Sequence, residues 1–295
     1  MKKVGVIIGL ILLIAAALVA WQFKNALTGE SVIANKVIYI TSNDNYSDVI
    51  SKLENCNCIK SLSHFQKIAE LKKYPELVKP GRYELKNGMS NEQVINKLRI
   101  GEQDPVQVTF NNVRTIDELS GKIAQYFEAD SSTFSQYLIN PEVRLKYGFT
   151  KEEFPAMFIP NTYLYNWNTT PEEFCSRMAV EFKKFWNDSR KTKASSLGLS
   201  QSEVVTLAAI VEEETKKNDE KPKVAGVYLN RIRRGMLLQA DPTVVFAAND
   251  FTIRRVLNKH KNIDSPYNTY MYKGLPPGPI RFPEIYSPYS AVFEI

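Results

Sequence analysis

The chain begins with a long apolar segment. Residues 4–21 carry no charge and are mostly aliphatic, and at a helical rise of about 1.5 Å per residue they extend about 27 Å, close to the hydrocarbon thickness of a bilayer. Lys2 and Lys3 precede this segment, which favours a cytoplasmic N-terminus. A cleaved signal peptide is the alternative interpretation. We predict a single-pass transmembrane anchor over residues 1–25, with the bulk of the chain outside the cytoplasm.

The pattern then changes to short strand-like and helical segments. Residues 26–36 are polar and are predicted to form a linker. The predicted elements that follow are strands at 37–40, 82–85 and 106–110 and helices that begin at Asn45, Ser63 and Ser90. Asn45 and Ser90 are each followed three residues later by a side chain that completes a capping box. The pattern predicts a small α+β module over residues 37–105.

The rest of the chain, residues 106–295, is predicted to be a larger α+β domain. Helices are expected to begin at Thr115, Thr170 and Ser200, each with a capping residue and an acidic residue three positions later. From Asp241 onward Pro, Gly, Asn and Tyr recur, and this composition predicts strands and ordered loops. The predicted fold class of the whole chain is therefore α+β with one N-terminal transmembrane helix.

The most informative helix is predicted to begin at Ser200, where Glu203 completes the capping box, and to end near Thr215. At about 100° per residue it has a polar face and an opposite buried face. The polar face holds Glu203, Thr206, Glu213 and Lys217, and the buried face holds Val204, Ala208, Val211 and Thr215. Of three adjacent glutamates, Glu212 falls inside the apolar half and Glu214 on its flank. Only Glu212 is therefore directed at the interior or a cleft.

A carboxyl group among apolar side chains is suited to general acid catalysis. Burial disfavours the charged form, so the pKa of Glu212 is expected to rise towards the range in which it can donate a proton near neutral pH. A structural ion pair of Glu212 with Arg231 or Arg233 is the alternative interpretation.

Polar and aromatic residues are concentrated in segments that Gly and Pro hold in place. These segments are 158–163, 227–231, 235–243, 267–270 and 274–280. Such surfaces bind sugars by stacking and by hydrogen bonds to hydroxyl groups. Taken one at a time, each segment is equally consistent with Pro and Gly that only shape a turn.

Composition limits the classes of function. The chain is 44% hydrophobic and 24% charged, which excludes a disordered tail and a multi-span membrane protein. The net charge of +6 suits an anionic partner. A DNA-uptake receptor would rest on this charge alone, and we expect no nucleic-acid partner because the basic surface lies outside the cytoplasm.

Metal and disulfide chemistry are not indicated. His64 and His260 lie far apart in the sequence, and Cys175 stands alone. A disulfide between Cys56 and Cys58 would close a very small ring, so we expect free or incidentally packed thiols there. We expect no metal site and no organic cofactor.

The segments IVEEET, YLNRIRRGMLLQADPTV, YNTY and GLPPGPI occur in this order, preceded by PNTY. Together they resemble the YceG-like family of endolytic murein transglycosylases, and the resemblance covers nearly the whole chain. It implies cleavage of the MurNAc–GlcNAc bond of nascent peptidoglycan strands, with formation of 1,6-anhydro-MurNAc ends. It also implies a LysM-like first module, attachment to the inner membrane with a periplasmic bulk, and peptidoglycan synthases as partners.

The resemblance also assigns residues. The family's catalytic glutamate is taken as the first of its V-E-x-E-T segment, which is Glu212 here. One acid/base residue suffices because the muramic C6 hydroxyl attacks its own anomeric carbon, whereas ordinary glycoside hydrolysis uses two carboxylates. The residues implied to bind substrate are Asn161, Tyr163, Asn230, Arg231, Gln239, Asp241, Thr243, Asn268, Thr269 and Tyr270.

Two departures from the family pattern stand out. Ala156 occupies a position where many relatives have glycine, and after Pro283 the chain ends at Ile295 where the family usually continues through further strands and helices. Missing strands would expose a sheet edge, so lower stability or activity is expected. This departure keeps a second hypothesis open, in which the protein is a non-catalytic, membrane-anchored peptidoglycan-binding scaffold.

Overall fold

A computed structural model describes residues 2–285 and 287–293. The fold is mixed α+β and divides into two compact units, Met1–Val106 with Leu164–Asn168 and Gln107–Tyr163 with Thr169–Ile295. The side chains of Lys2 and Lys3, on which the predicted orientation depends, lie outside the described residues. So do Tyr286, Glu294 and Ile295 of the C-terminal segment, and the expected effect of that segment stays a prediction.

The first unit contains four helices and two strands among its described residues. They are α1 (Lys2–Thr28), β1 (Lys36–Ile40), α2 (Tyr46–Asn55), α3 (Leu62–Leu71), β2 (Gly81–Leu85) and α4 (Asn91–Ile100). Strands β1 and β2 pair antiparallel, with Ile38 opposite Tyr83. Their alternating inward side chains pack with Leu53 of α2, Phe65 of α3 and Leu98 of α4 in one core. The strands at 37–40 and 82–85 and the capping boxes at Asn45 and Ser90 are confirmed.

Helix α1 contains an exposed apolar stretch. The stretch Ile7–Thr28 is long enough to cross a membrane; its most apolar part has a mean hydropathy of 2.2, and none of that part is buried. An N-terminal helix of this kind fits both a membrane anchor and a signal sequence.

The predicted linker at residues 26–36 is packed structure. Helix α1 continues to Thr28, and Asn91 Nδ2 donates to the carbonyl of Ala26 at 2.8 Å. The amides of Ser31 and Val32 both donate to the carbonyl of Met89, and the Val32 side chain is buried. The side chains of Ala26 and Leu27 also pack against the core of the first unit, so this segment is held by side-chain as well as backbone contacts.

The expectation of free thiols at the C-x-C pair is wrong. Cys56 and Cys58 are joined by a disulfide, with Cα atoms 5.2 Å apart, within the usual range for disulfides. The chain reaches this distance because α2 ends at Asn55, just before Cys56, and Asn57 adopts a left-handed backbone conformation, φ 52°, which asparagine tolerates better than most residues. Cys175 is a free, buried thiol.

The second unit is mostly helical. Its elements are β3 (Val106–Phe110), α5 (Ile116–Ala124), α6 (Ser131–Ile139), α7 (Pro141–Lys146), β4 (Asn161–Tyr165), α8 (Pro171–Phe185), α9 (Asp188–Leu197), α10 (Gln201–Glu214), α11 (Lys221–Arg233), α12 (Asp241–Ala247), α13 (Asn258–Lys261) and α14 (Ser287–Phe293). Strands β3 and β4 form a two-stranded sheet, and Thr109 and Thr162 share a hydroxyl hydrogen bond of 2.7 Å. The helices predicted from Thr115, Thr170 and Ser200 are confirmed.

The prediction of strands beyond Asp241 is wrong for the described residues. This region holds three short helices, α12, α13 and α14, joined by turns. Pro242 occupies a first-turn position of α12, where its missing N–H costs nothing. Pro and Gly there shape helix starts and turns rather than hairpins.

An aromatic cluster forms the core beside β3 and α8. The ring of Phe174 lies 5.8–6.4 Å from the rings of Phe110, Phe127, Phe134 and Phe158. Phe174 is fully buried. It therefore joins the sheet, the turn after α5, α6 and the segment that precedes β4.

We expect Phe174→Ala to lower the free energy of unfolding by about 3–5 kcal/mol, because it leaves a cavity where four rings meet. Urea denaturation followed by circular dichroism measures this loss. The control is Leu145→Ala, since Leu145 is 68% exposed. Equal denaturation midpoints for the two variants would contradict the central role of Phe174.

Candidate active site

Helix α10 carries the three adjacent glutamates and is enclosed on all sides. Ser200 and Glu203 form the predicted capping box, and every residue from Val204 to Glu212 is buried. The prediction that Thr206 lies on a polar face is wrong: its hydroxyl donates to the carbonyl of Ser202 at 2.8 Å inside the protein. The helix is surrounded by other helices, among them α9, α11, α12 and α14. A helix in this position has no solvent face over most of its length.

The predicted burial of Glu212 is confirmed, since this residue is 5% exposed. Its carboxylate accepts a hydrogen bond from the amide of Glu284 at 3.0 Å and lies 3.5 Å from a guanidinium nitrogen of Arg281. Burial raises the pKa of Glu212, and Arg281 and the Glu284 amide only partly oppose this. Arg231, one of the two cations named from the sequence, instead donates to the carbonyl of Leu238.

Glu213 has the opposite electrostatic balance. It forms ion pairs with Arg281 and with Arg114, the latter at 3.3 Å. Burial alone would raise the pKa of Glu213, but the two guanidinium groups outweigh burial and lower it. Arg281 is 4% exposed, so it is a buried cation between two carboxylates.

Glu214 faces residues of the segments that the sequence marked, but these residues are helical rather than in loops, since Tyr228 and Arg231 lie in α11 and Asp241 begins α12. Glu214 is exposed, yet its carboxyl group hydrogen-bonds to the hydroxyl of Tyr228 and lies near Asp241 and Arg231. Burial of the carboxyl and the negative charge of Asp241 raise the pKa of Glu214, against the opposing effects of Tyr228 and Arg231.

Asp241 and Tyr270 complete this group. The Tyr270 hydroxyl donates to Asp241 at 2.6 Å, and Lys261 Nζ lies 4.6 Å from the centre of the Tyr270 ring. The structure thus brings together three of the predicted binding residues, Arg231, Asp241 and Tyr270, around Glu214. Tyr228 belongs to the same group and was missed by the sequence analysis, although it lies within the YLNR segment.

Three other predicted binding residues hold the loops in place. Thr243 and Thr269 are buried and share a hydroxyl hydrogen bond of 2.8 Å, and Thr269 also accepts from the amide of Ala240. Asn268 is buried and donates to the carbonyls of Lys261 and Ile263 at 2.8 and 2.7 Å. We expect these side chains to position Asp241 and Tyr270 rather than to contact a ligand.

The remaining predicted binding residues are spread more widely. Gln239 is exposed and has a φ of 52°, and its backbone amide donates to the backbone carbonyl of Thr269. Asn230 is exposed on α11, and the exposed Asn161 accepts from the amide of Thr162. Tyr163 donates to the carbonyl of Ile159 at 2.7 Å. Burial raises the pKa of Tyr289, and the nearby Glu212 and Tyr163 raise it further. Both of these residues therefore lie close to Tyr289.

Glycine in the GLPPGPI segment has a packing role. A Cβ at Gly278 would lie 1.9 Å from the carbonyl oxygen of Glu152, too close for any side chain. Glycine at this position therefore permits the close approach of two backbone segments.

A cavity of about 250 Å³ adjoins the Glu214 group through Asp241. Its walls include Arg114, Glu213, Asp241, Phe246, Phe251 and Arg254. A larger cavity, of about 640 Å³, is lined by Lys146, Trp186 and other residues, none of which was predicted as a site residue. Within residues 2–285 and 287–293, no group of three or more His, Cys, Asp or Glu is placed to hold a metal ion.

Comparison with known proteins gives consistent results. The family model of the YceG-like family matches residues 38–293. An endolytic murein transglycosylase of Bacillus subtilis is 30% identical over 258 residues, which cover 82% of this chain and 71% of that protein. An endolytic murein transglycosylase of Streptococcus pneumoniae is 27% identical over 287 residues, and the match covers 85% of this chain but about half, 52%, of the relative.

A solved structure shows the same fold. The crystal structure of a yceG-like protein from Listeria monocytogenes matches with a TM-score of 0.58 over 88% of this chain and 90% of that one. Sequence identity is 23%.

We expect Arg281→Met to destabilise the protein by about 3–5 kcal/mol near neutral pH, because Glu212 and Glu213 then lose their shared cation inside the protein. The loss should shrink as the pH falls and the two carboxylates take up protons. Urea denaturation at several pH values measures both effects. Arg255→Met is the control, since Arg255 is exposed; similar unfolding of the two variants would show that Arg281 does not neutralise the pair.

Proposed function

The chain belongs to the YceG-like family, and on this basis we propose that it is a peptidoglycan lytic transglycosylase. The proposal is carried by one observation: a carboxyl group of raised pKa, Glu214, lies among Tyr228, Arg231, Asp241 and Tyr270 at the end of α10. The relatives from Bacillus subtilis and Streptococcus pneumoniae carry the name endolytic murein transglycosylase. A general acid needs a raised pKa and access to the bond that it cleaves.

We assign the proton transfer to Glu214 rather than to Glu212, the residue predicted from the sequence. Both carboxyl groups have raised pKa values. Glu212, however, is enclosed and is already bound to the amide of Glu284 and to Arg281. Glu214 is exposed and lies beside Tyr228, Arg231 and Asp241, so a sugar can reach it.

The proposed reaction uses one residue twice. The Glu214 carboxyl gives its proton to the glycosidic oxygen, the bond from this oxygen to the anomeric carbon of MurNAc breaks, and positive charge develops on that carbon. The C6 hydroxyl of the same sugar then attacks the anomeric carbon and returns its proton to the Glu214 carboxylate. The products are a free GlcNAc hydroxyl and a 1,6-anhydro-MurNAc end, and no water is consumed.

The neighbours of Glu214 have distinct proposed roles. The Tyr228 hydroxyl stabilises the Glu214 carboxylate between the two proton transfers, because its hydrogen bond favours the charged form. Asp241 places a negative charge near the developing cation. Arg231 fixes the loop by its bond to the Leu238 carbonyl.

We further propose that α1 anchors the protein in the cell membrane and that the rest of the chain lies outside the cytoplasm, where its substrate is found. The apolar stretch Ile7–Thr28 supports an anchor. The LysM-like character of residues 37–105 and the synthase partners stay predictions, as does the scaffold hypothesis.

We expect Glu214→Gln to lower the release of anhydro-muropeptides from purified peptidoglycan by about 10²–10⁴-fold, the usual contribution of a general acid. Glu212→Gln should keep most of the activity. Glu203→Gln is the control on the same helix, since glutamine also completes a capping box. Mass spectrometry of the soluble products measures all three variants.

The same measurement separates the alternatives. Full activity of Glu214→Gln together with loss in Glu212→Gln would return the role to Glu212. Reducing ends in place of anhydro ends would indicate hydrolysis. Binding to peptidoglycan without any product from the unaltered protein would favour the scaffold hypothesis.

The pH dependence of activity follows from the raised pKa of Glu214. The protonated form is required, so activity should decline as the pH rises through this pKa, which lies above the ordinary value of 4.5. Tyr228→Phe removes a hydrogen bond that lowers the pKa, and we expect the declining limb to move to higher pH. A pH–rate profile in which Tyr228→Phe and the control Tyr272→Phe both coincide with the unaltered protein would contradict this role.

A further inference from the structure

We propose that the cavity of about 250 Å³ beside Asp241 binds the peptide substituent of the glycan, and that Arg254 binds a carboxylate of that peptide. This inference rests on the proposed function. It adds a preference for peptide-bearing over peptide-free strands, which the cleavage chemistry alone does not require.

The walls of the cavity combine apolar and charged side chains. The ring centres of Phe246 and Phe251 are 6.2 Å apart, and the ring centres of Phe246 and Tyr267 are 4.7 Å apart. Val245 and Ile253 add aliphatic surface. These apolar side chains are suited to contact the aliphatic side chains of a peptide, and the charged groups of Arg114, Glu213, Asp241 and Arg254 also line the cavity.

The charges of the cavity single out one arginine. Arg114 is engaged, because it pairs with Glu213 at 3.3 Å and its guanidinium group lies 5.0 Å from the centre of the Phe251 ring. Arg254 is exposed, lines the cavity and makes no ion pair with any residue that the structure describes. A guanidinium group in this position is well suited to hold a carboxylate by two parallel hydrogen bonds.

The position of the cavity fits the chemistry of the substrate. Asp241 lines the cavity and also interacts with Glu214 and Tyr270. In peptidoglycan the peptide is attached to the muramic acid residue, the same sugar whose anomeric bond is broken. A sugar placed against Glu214 therefore carries its peptide within reach of the neighbouring cavity.

The test compares two substrates with the full-length protein in detergent. One substrate is purified peptidoglycan with its peptides, and the other is the same material after an amidase has removed them. We expect Arg254→Gln to lower kcat/KM on the peptide-bearing strands by about 10–100-fold, the range for one charge-assisted hydrogen-bonded contact. On the peptide-free strands the variant should match the unaltered protein.

The matched control is Arg255→Gln, which removes an equal charge from the adjacent exposed residue. It should leave both rates unchanged. Equal slowing of Arg254→Gln on both substrates, or no slowing on either, would overturn the peptide site while leaving the proposed function intact. Absence of product from both substrates with the unaltered protein would overturn the proposed function itself.

Discussion

The site depends on how one buried helix end accommodates three consecutive carboxyl groups. Helix α10 is packed on all sides as far as the buried Glu212, and exposure then increases through the half-buried Glu213 to the exposed Glu214. Removing a carboxylate from water costs several kcal/mol unless a partner compensates for it. Each of the three glutamates meets this cost differently, and these differences separate their chemistry.

Arg281 provides most of the compensation. It lies between Glu212 and Glu213 and is itself nearly inaccessible to solvent. Glu213 is held ionised by Arg281 and Arg114, whereas Glu212 depends on one more distant guanidinium contact and on a backbone amide. Glu214 forms an ion pair with neither Arg114 nor Arg281. Its carboxyl group lies beside Tyr228, where it can hold and release a proton. Neutralisation of the first two carboxyl groups thus leaves the third available for chemistry.

The loops beyond α11 act as one assembly around this carboxyl group. Thr243 and Thr269 join the start of α12 to the YNTY segment through their hydroxyl groups. Asn268 ties the same segment to the backbone near α13. These internal bonds fix Asp241 and Tyr270, which then face Glu214 and the adjoining cavity. Thr243, Asn268 and Thr269, which were predicted from the sequence to bind substrate, thus make their hydrogen bonds within the protein.

Local signals in the sequence determined much of the fold. Capping residues and short-range periodicity located about half of the helices and the first three strands, because these signals act within a few residues. Periodicity could not say which glutamate faces the cleft, because a helix buried on all sides gives no polar stripe to read. The partners Arg114 and Arg281 lie 99 and 68 residues from Glu213. The closure of the Cys56–Cys58 ring needed a left-handed residue between them. Only tertiary structure decided these features, since pairing of distant charges and a local backbone conformation depend on the packing around them and not on sequence spacing.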